Sequence, residues 1–255
     1  MLLSKVAIDD IFGNYTDEWV RWASFPPHVL VYLDYTAESY RPKQFDWRLP
    51  EASLYEDMCV AYNGAVRCGE LASAMEVPVP APKLRDCFLR TAVLSAFYFV
   101  EAYLNGVAFD YQSRHANNIS PQDTRLLLEW DQQANREKWI TLKEKIQAYP
   151  KIILGLQHPP LTETNSEEMK LLISTAKEVR DAIVHQAPRP NPLTKEVGPK
   201  VKSFMHLRSG DTTEIVDAAI SLVQRLNEIL GQNGIMLDWL VGRDATGKFP
   251  EKAFV

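Results

Sequence analysis

Residues 92–109, AVLSAFYFVEAYLNGVAF, constrain this chain more than any other stretch. The segment is apolar on nearly every face of a helix, whereas a surface helix carries a single apolar stripe. A segment of this kind belongs at the centre of a bundle, with other helices around it. The sequence predicts one long helix over 82–111, entered from the proline-stiffened connection Val77-Pro78-Val79-Pro80-Ala81-Pro82. Glu101 and Asn105 interrupt the apolar run. They keep the window short of a membrane span. They are four apart and so share a face, and both are expected to be hydrogen-bonded inside the core.

Helical spacing recurs on both sides of this segment. Leu54, Met58, Ala61, Ala65 and Val66 mark a helix from Pro50 to about residue 75. After a break at Asn117, Asn118, Ser120 and Pro121, helical stretches are predicted over 122–135 and 138–149, with Pro150, Gly155, Pro159 and Pro160 punctuating the loop that follows. Thr164 with Glu167, or Asn165 with Glu168, offers a capping pair for a helix over 164–185. That helix stops before Pro188. Ile215, Ala218, Ala219, Leu222, Val223, Leu226 and Leu230 form the stripe of a helix over 212–230, closed by Gly231 and Gly234, with a short helix expected over 235–241. Residues 1–49 follow no helical pattern. Within them residues 28–35 (HVLVYLDY) read as a short strand, and Trp19, Trp22 and Trp47 suggest an arm packed on the body. The fold class is therefore all-α, an antiparallel helical bundle with an N-terminal extension holding a short strand. It divides into an arm over 1–49, a helical domain over 50–232 and a tail over 233–255.

Charge and cysteine usage narrow the function classes. The net charge is -5, so any grip on nucleic acid needs a local basic patch. Cys59, Cys68 and Cys87 lack metal-ligand spacing, fall in helical segments and read as buried apolar residues of a reducing compartment. Residues 1–13 lack a signal-peptide apolar core, and the expected location is cytoplasmic, with no membrane partner. His28, His115, His158 and His206 show no ligand spacing, and no metal or cofactor site is expected.

The one chemically suggestive cluster is Arg180-Asp181-Ala182-Ile183-Val184-His185, at the end of the helix over 164–185. On a straight wheel that starts at Met169, the residues Leu172, Ile173, Ala176, Val179 and Ile183 lie within roughly 80° of Met169, and Arg180 falls at about 20°, inside that stripe. A guanidinium facing a core needs partners, and Glu101 on the central helix is the expected one. Asp181 and His185 fall near about 120° and 160° on the same wheel. They are four apart and able to meet, which favours a protonated imidazole. Arg180 and His185 splay by about 140°, so a joint site calls for a frayed last turn, a long reach or a second subunit. Beyond the helix, Arg189, Lys195, Lys200, Lys202 and Arg208 face a single acid, Glu196, between residues 186 and 210. This local excess suits a phosphate backbone, or simply a solvated loop.

Three stretches carry a family resemblance. Val179-Arg180-Asp181-Ala182-Ile183-Val184-His185 is similar to the Arg-polar-x3-His signature of HEPN domains (higher eukaryotes and prokaryotes nucleotide-binding). Residues 96–105, AFYFVEAYLN, resemble the apolar-Glu-Ala-apolar-Leu-Asn helix of several branches of that family. Residues 138–142 and 149–153 resemble an element between those helices. The resemblance covers about residues 50–230 and implies an all-helical, usually dimeric bundle. It implies one of two functions. The first is a metal-independent endoribonuclease, of toxin or stress-response type, in which Arg180, Asp181 and His185 of two protomers line one cleft. Glu101 and Asn105 would support that cleft, the basic residues after the helix would hold RNA, and an antitoxin-like protein would be a further partner. The second is a non-catalytic dimerisation module that binds a nucleotide, RNA or a protein. Neither requires a cofactor.

Overall fold

A computed structural model describes residues 30–35, 42–48, 50–68, 80–131, 136–184, 207–235, 237 and 239–250. The described chain is mostly helical. It opens with an antiparallel hairpin, β1 (Leu30–Tyr35) and β2 (Pro42–Arg48), in which Leu30 faces Arg48 and Leu33 faces Phe45, with an irregularity before Tyr35. The expected strand over 28–35 is thus present, with a partner strand at a place where the sequence had suggested no element.

Four helices build the body. They are α1 (Pro50–Val66), α2 (Ala81–His115), α4 (Leu142–Ile153) and α7 (Ser209–Leu230), with the short α3 (Pro121–Leu127) between α2 and α4. Helix α2 is about 50 Å long at 1.5 Å per residue. It packs most extensively against α1, then against α7 and α4. Ala92, Val93, Ala96, Phe99, Val100, Tyr103 and Ala108 are fully buried along it, as an apolar segment with no free face demands. By length and composition α2 could cross a membrane, contrary to the expectation that Glu101 and Asn105 would disqualify it, but 67% of its most apolar window is buried inside the fold. Gly64 sits at the approach of α1 to α2, where an added Cβ would lie 2.9 Å from the Phe88 ring.

Caps set the boundaries, and several differ from expectation. Ser120 caps α3 by accepting from the Asp123 N–H at 3.1 Å, with Pro121 in the first turn. The helix expected over 122–135 ends at Leu127, because Glu129 turns left-handed (φ 51) into a short β-hairpin, β3 (Trp130–Asp131) and β4 (Arg136–Glu137). Thr141 and Glu144 form a capping box that starts α4 at Leu142. Pro150 lies inside the last turns of α4, and Gly155 (φ 63) is where the chain leaves it. The next helix begins later than either expected pair allowed, with its cap one residue after Asn165 and two after Thr164. Ser166 is its cap, accepting from the Met169 N–H at 3.1 Å, while Asn165 is spent on the preceding turn through Thr162 and Pro160. This helix is α5 (Glu167–Leu171), a π segment (Leu172–Ala176) and α6 (Lys177–Val184) in succession. The stripe of α7 is buried as expected. No helix occupies the described residues of 235–241. The chain there runs from a 3-10 turn, Gly231–Asn233, into a strap along α1. Asn63 binds the Phe249 backbone in both directions (2.9 and 3.0 Å), and Arg243 pairs with Asp217 and donates to the Tyr62 hydroxyl at 3.2 Å. Phe249 enters the core at 2% exposure.

The cysteines divide. Cys59 is buried, its thiol pushed up to about 12 by desolvation, whereas Cys87 is exposed and Cys68 half-buried, so only one of the three is a core residue.

Candidate functional site

Helix α6 delivers Arg180 to the face of α2. Its guanidinium carbon lies 4.5 Å from the centre of the Phe97 ring, and its Nη1 lies 3.3 Å from an Asp181 carboxylate oxygen. Only 15% of the side chain is exposed, and the buried Nε has no hydrogen-bond partner. Arg180 therefore does face inward, as its stripe position predicts, but the ring of Phe97 receives it. A cation over an aromatic face is held by the ring quadrupole without a counter-carboxylate. The π segment inserts extra backbone into the turn and rotates everything after it. Angles reckoned from Met169 on a straight wheel therefore do not carry through to Arg180, whereas the spacing from Arg180 to Asp181 is unaffected. Asp181 also accepts from Lys177 at 2.8 Å, one turn earlier on α6. His185, Arg189, Lys195, Lys200, Lys202 and His206 lie outside the described residues. Arg208 is exposed at the start of α7.

Glu101 does not pair with Arg180. Its partner is Lys145 of α4, whose Nζ lies 2.7 Å from Glu101 Oε1, 2.5 Å from Glu129 Oε1 and 3.1 Å from Asn105 Oδ1. Lys145 is 1% exposed, and its three N–H donors meet three acceptors. The Tyr149 hydroxyl donates to Glu129 at 3.3 Å, and burial together with the Glu129 charge pushes that phenol well above its usual range. A compact ammonium deep between α2 and α4 outcompetes a guanidinium approaching from α6, because two carboxylates and an amide converge on it. Glu101 and Asn105 are thus hydrogen-bonded polar residues of the central helix, as expected, but they do not lie inside the core, since Glu101 is half-buried and Asn105 exposed. The sequence does hold a signal for Lys145: with Leu142, Ile146 and Tyr149 it falls at helical spacing inside an apolar stripe. Phe97 and Glu101 are one turn apart on α2, so the Arg180 corner and the Lys145 cluster are neighbours along one face.

Glu51, in the first turn of α1, is the other charged residue placed against type. It is fully buried, neither carboxylate oxygen has a hydrogen-bond partner, and desolvation raises its pKa to about 7. Tyr103 of the same core lies close enough to feel its charge. Tyr103 donates to Asn227 at 3.0 Å, and its ionisation is opposed first by burial and then by Glu51.

Such an arrangement offers an oriented cation at a helix end, a neighbouring carboxylate and a saturated ion cluster behind them. No family model, curated protein or solved structure matches this chain.

Proposed function

We propose that this chain is a HEPN-type, metal-independent endoribonuclease that acts as a homodimer in the cytoplasm. The observation that carries the reading is the fixation of Arg180 between Phe97 and Asp181, five residues before His185 in a segment that resembles the family signature. Packing over a ring locks the guanidinium plane, and a locked plane suits bidentate recognition of a phosphate. In the proposed reaction, the RNA 2′-hydroxyl loses its proton to His185 and attacks the adjacent phosphorus. Arg180 offsets the charge that builds on the phosphorane oxygens. The P–O5′ bond breaks, the 5′-oxygen takes a proton from an imidazolium, and a 2′,3′-cyclic phosphate and a 5′-hydroxyl result. Asp181 would favour the protonated imidazole. Arg189, Lys195, Lys200, Lys202 and Arg208 would hold the backbone of the strand, and an antitoxin-like protein would be the natural restraint on such an activity.

A second reading, a non-catalytic HEPN-like module for nucleotide, RNA or protein binding, is favoured by one feature. Arg180 and Asp181 already pair within one chain, as residues of purely structural value would. An RNA cleavage assay in EDTA separates the two. Cyclic-phosphate products with at least a hundredfold loss in His185→Ala support the nuclease. No cleavage, or full activity in His185→Ala, overturns it.

A further inference from the structure

Trp139 is 79% exposed, an unusual setting for the largest aromatic side chain. It stands at the rim of a pocket of about 300 Å³ that also touches Leu126, Lys138, Glu144, Lys151 and Pro159. The volume is at the small end for ligand sites and suits one ring system with its substituents. Three features of the lining are complementary to one kind of molecule. The indole offers a flat apolar face in contact with water. Lys151 has no carboxylate partner among the described residues and belongs to the last turns of α4. Glu144 spends one oxygen, Oε2, on the backbone and hydroxyl of Thr141, both at 2.8 Å. Those bonds and Lys138 keep its carboxyl below the usual range and therefore ionised, and the other oxygen is left to accept.

We propose that this pocket binds a nucleotide whose base carries an exocyclic amine. The base stacks on Trp139, its amine donates to Glu144, and its phosphate sits on Lys151. Stacking on an indole is open to any base. An ionised carboxylate accepts from an amine and repels a carbonyl, which sets cytosine apart from uracil. With Lys138 and Lys151 against Glu144, the pocket carries one net positive charge, in a chain whose net charge is -5. The same chemistry comes from a free mononucleotide or from a single strand. This site shares a ligand class with the proposed cleavage reaction but does not depend on it.

The test uses the full-length protein and fluorescence anisotropy with labelled oligodeoxycytidine of about ten nucleotides. That strand has no 2′-hydroxyl, so the proposed cleavage cannot consume it. Binding is expected, with oligodeoxyuridine weaker. Trp139→Ala is expected to weaken it roughly tenfold or more, with Trp139→Phe in between. Lys151→Gln is expected to weaken it and to lower the dependence on salt by about one counterion. Trp139→Ala should leave Tm unchanged, because the ring is exposed. Displacement of the bound strand by CMP as readily as by a longer strand assigns the pocket to a single nucleotide. Competition only by longer strands assigns it to single-stranded nucleic acid. No binding of either probe overturns the site and leaves Trp139 as a contact for protein. So does equal affinity in Trp139→Ala. Equal affinity for the cytosine and uracil strands overturns the role of Glu144. RNA cleavage by a protein that shows no Trp139-dependent strand binding would sink this site alone. Trp139-dependent binding without any cleavage would sink the nuclease alone.

Discussion

Glu51 and Arg180 show how far a single side chain can depart from the behaviour of its type. Between the ordinary glutamate value near 4.5 and about 7, the unfolded chain has released a proton that the folded chain keeps. Stability therefore falls as pH rises through that window and is level above it. The full difference is roughly 3 kcal/mol. Glu51→Gln removes the ionisation, so its Tm relative to wild type is expected to climb between pH 5 and pH 8. A difference that stays constant across that range would mean that Glu51 is hydrated. For Arg180 the relevant quantity is a coupling energy. A double-mutant cycle on Arg180→Ala and Phe97→Leu is expected to give about 0.5–2 kcal/mol. The cycle on Arg180→Ala and Glu101→Gln is expected to give a value near zero, because Lys145 holds Glu101. The inward position of Arg180 agrees with the sequence expectation, although the straight wheel that gave it does not run through the π segment. The identity of its partner was not legible, because any of several carboxylates and rings on α2 could have met it.

At the level of elements, most helices were readable from period and punctuation, and the errors cluster where backbone geometry is irregular. Glu129 takes a left-handed φ of 51, which costs a non-glycine residue of the order of 1 kcal/mol. Nothing in its local sequence requires that turn. The ion pair of Glu129 with Lys145 and its bond from Tyr149 offset the cost, and both partners come from the next helix. The π segment Leu172–Ala176 was equally hidden, because Leu-Ile-Ser-Thr-Ala suits an ordinary helix. Ser166 does not stand out in the sequence as the cap, because Thr164 and Asn165 carry the same chemistry just before it. The Lys145 cluster is the joint that fastens α4 and the β3–β4 turn to α2. Lys145→Ala leaves Glu101 and Glu129 facing each other, with side chains 23% and 25% exposed. The expected loss is roughly 2–4 kcal/mol in a denaturant melt, below the value for fully buried pairs because water still reaches both acids. Adding Glu101→Gln and Glu129→Gln to that variant is expected to restore part of the loss. A further loss instead would show that the carboxylates are held by other contacts.

For the whole molecule, the proposed nuclease turns on assembly. Arg180 and His185 are five residues apart, which on a regular helix separates them by about 140°. One protomer then aims them at different places, and a two-fold axis near the end of α6 would bring copies of both into one cleft, since an isologous interface sets like surfaces against each other. The expected interface is α6 with the segment that follows it, and α2 adds apolar surface where Tyr98 is 39% exposed. Sedimentation at tens of micromolar is expected to show a dimer. Mixing provides a sharper measurement. Arg180→Lys keeps a cation over Phe97 but loses the forked donor, and His185→Ala loses the proton carrier, so each homodimer is expected to be inactive. If a site takes its arginine from one chain and its histidine from the other, co-refolded dimers of the two variants contain one site with both native residues. About half of the dimers are mixed, each with one of two sites intact, so roughly a quarter of wild-type activity should return. Activity that stays at the level of the single variants, in a preparation shown to be dimeric, would mean that the pair acts within one chain or that a cleft needs all four residues. A monomer would remove the second half of the site and leave the non-catalytic module as the better account of Arg180.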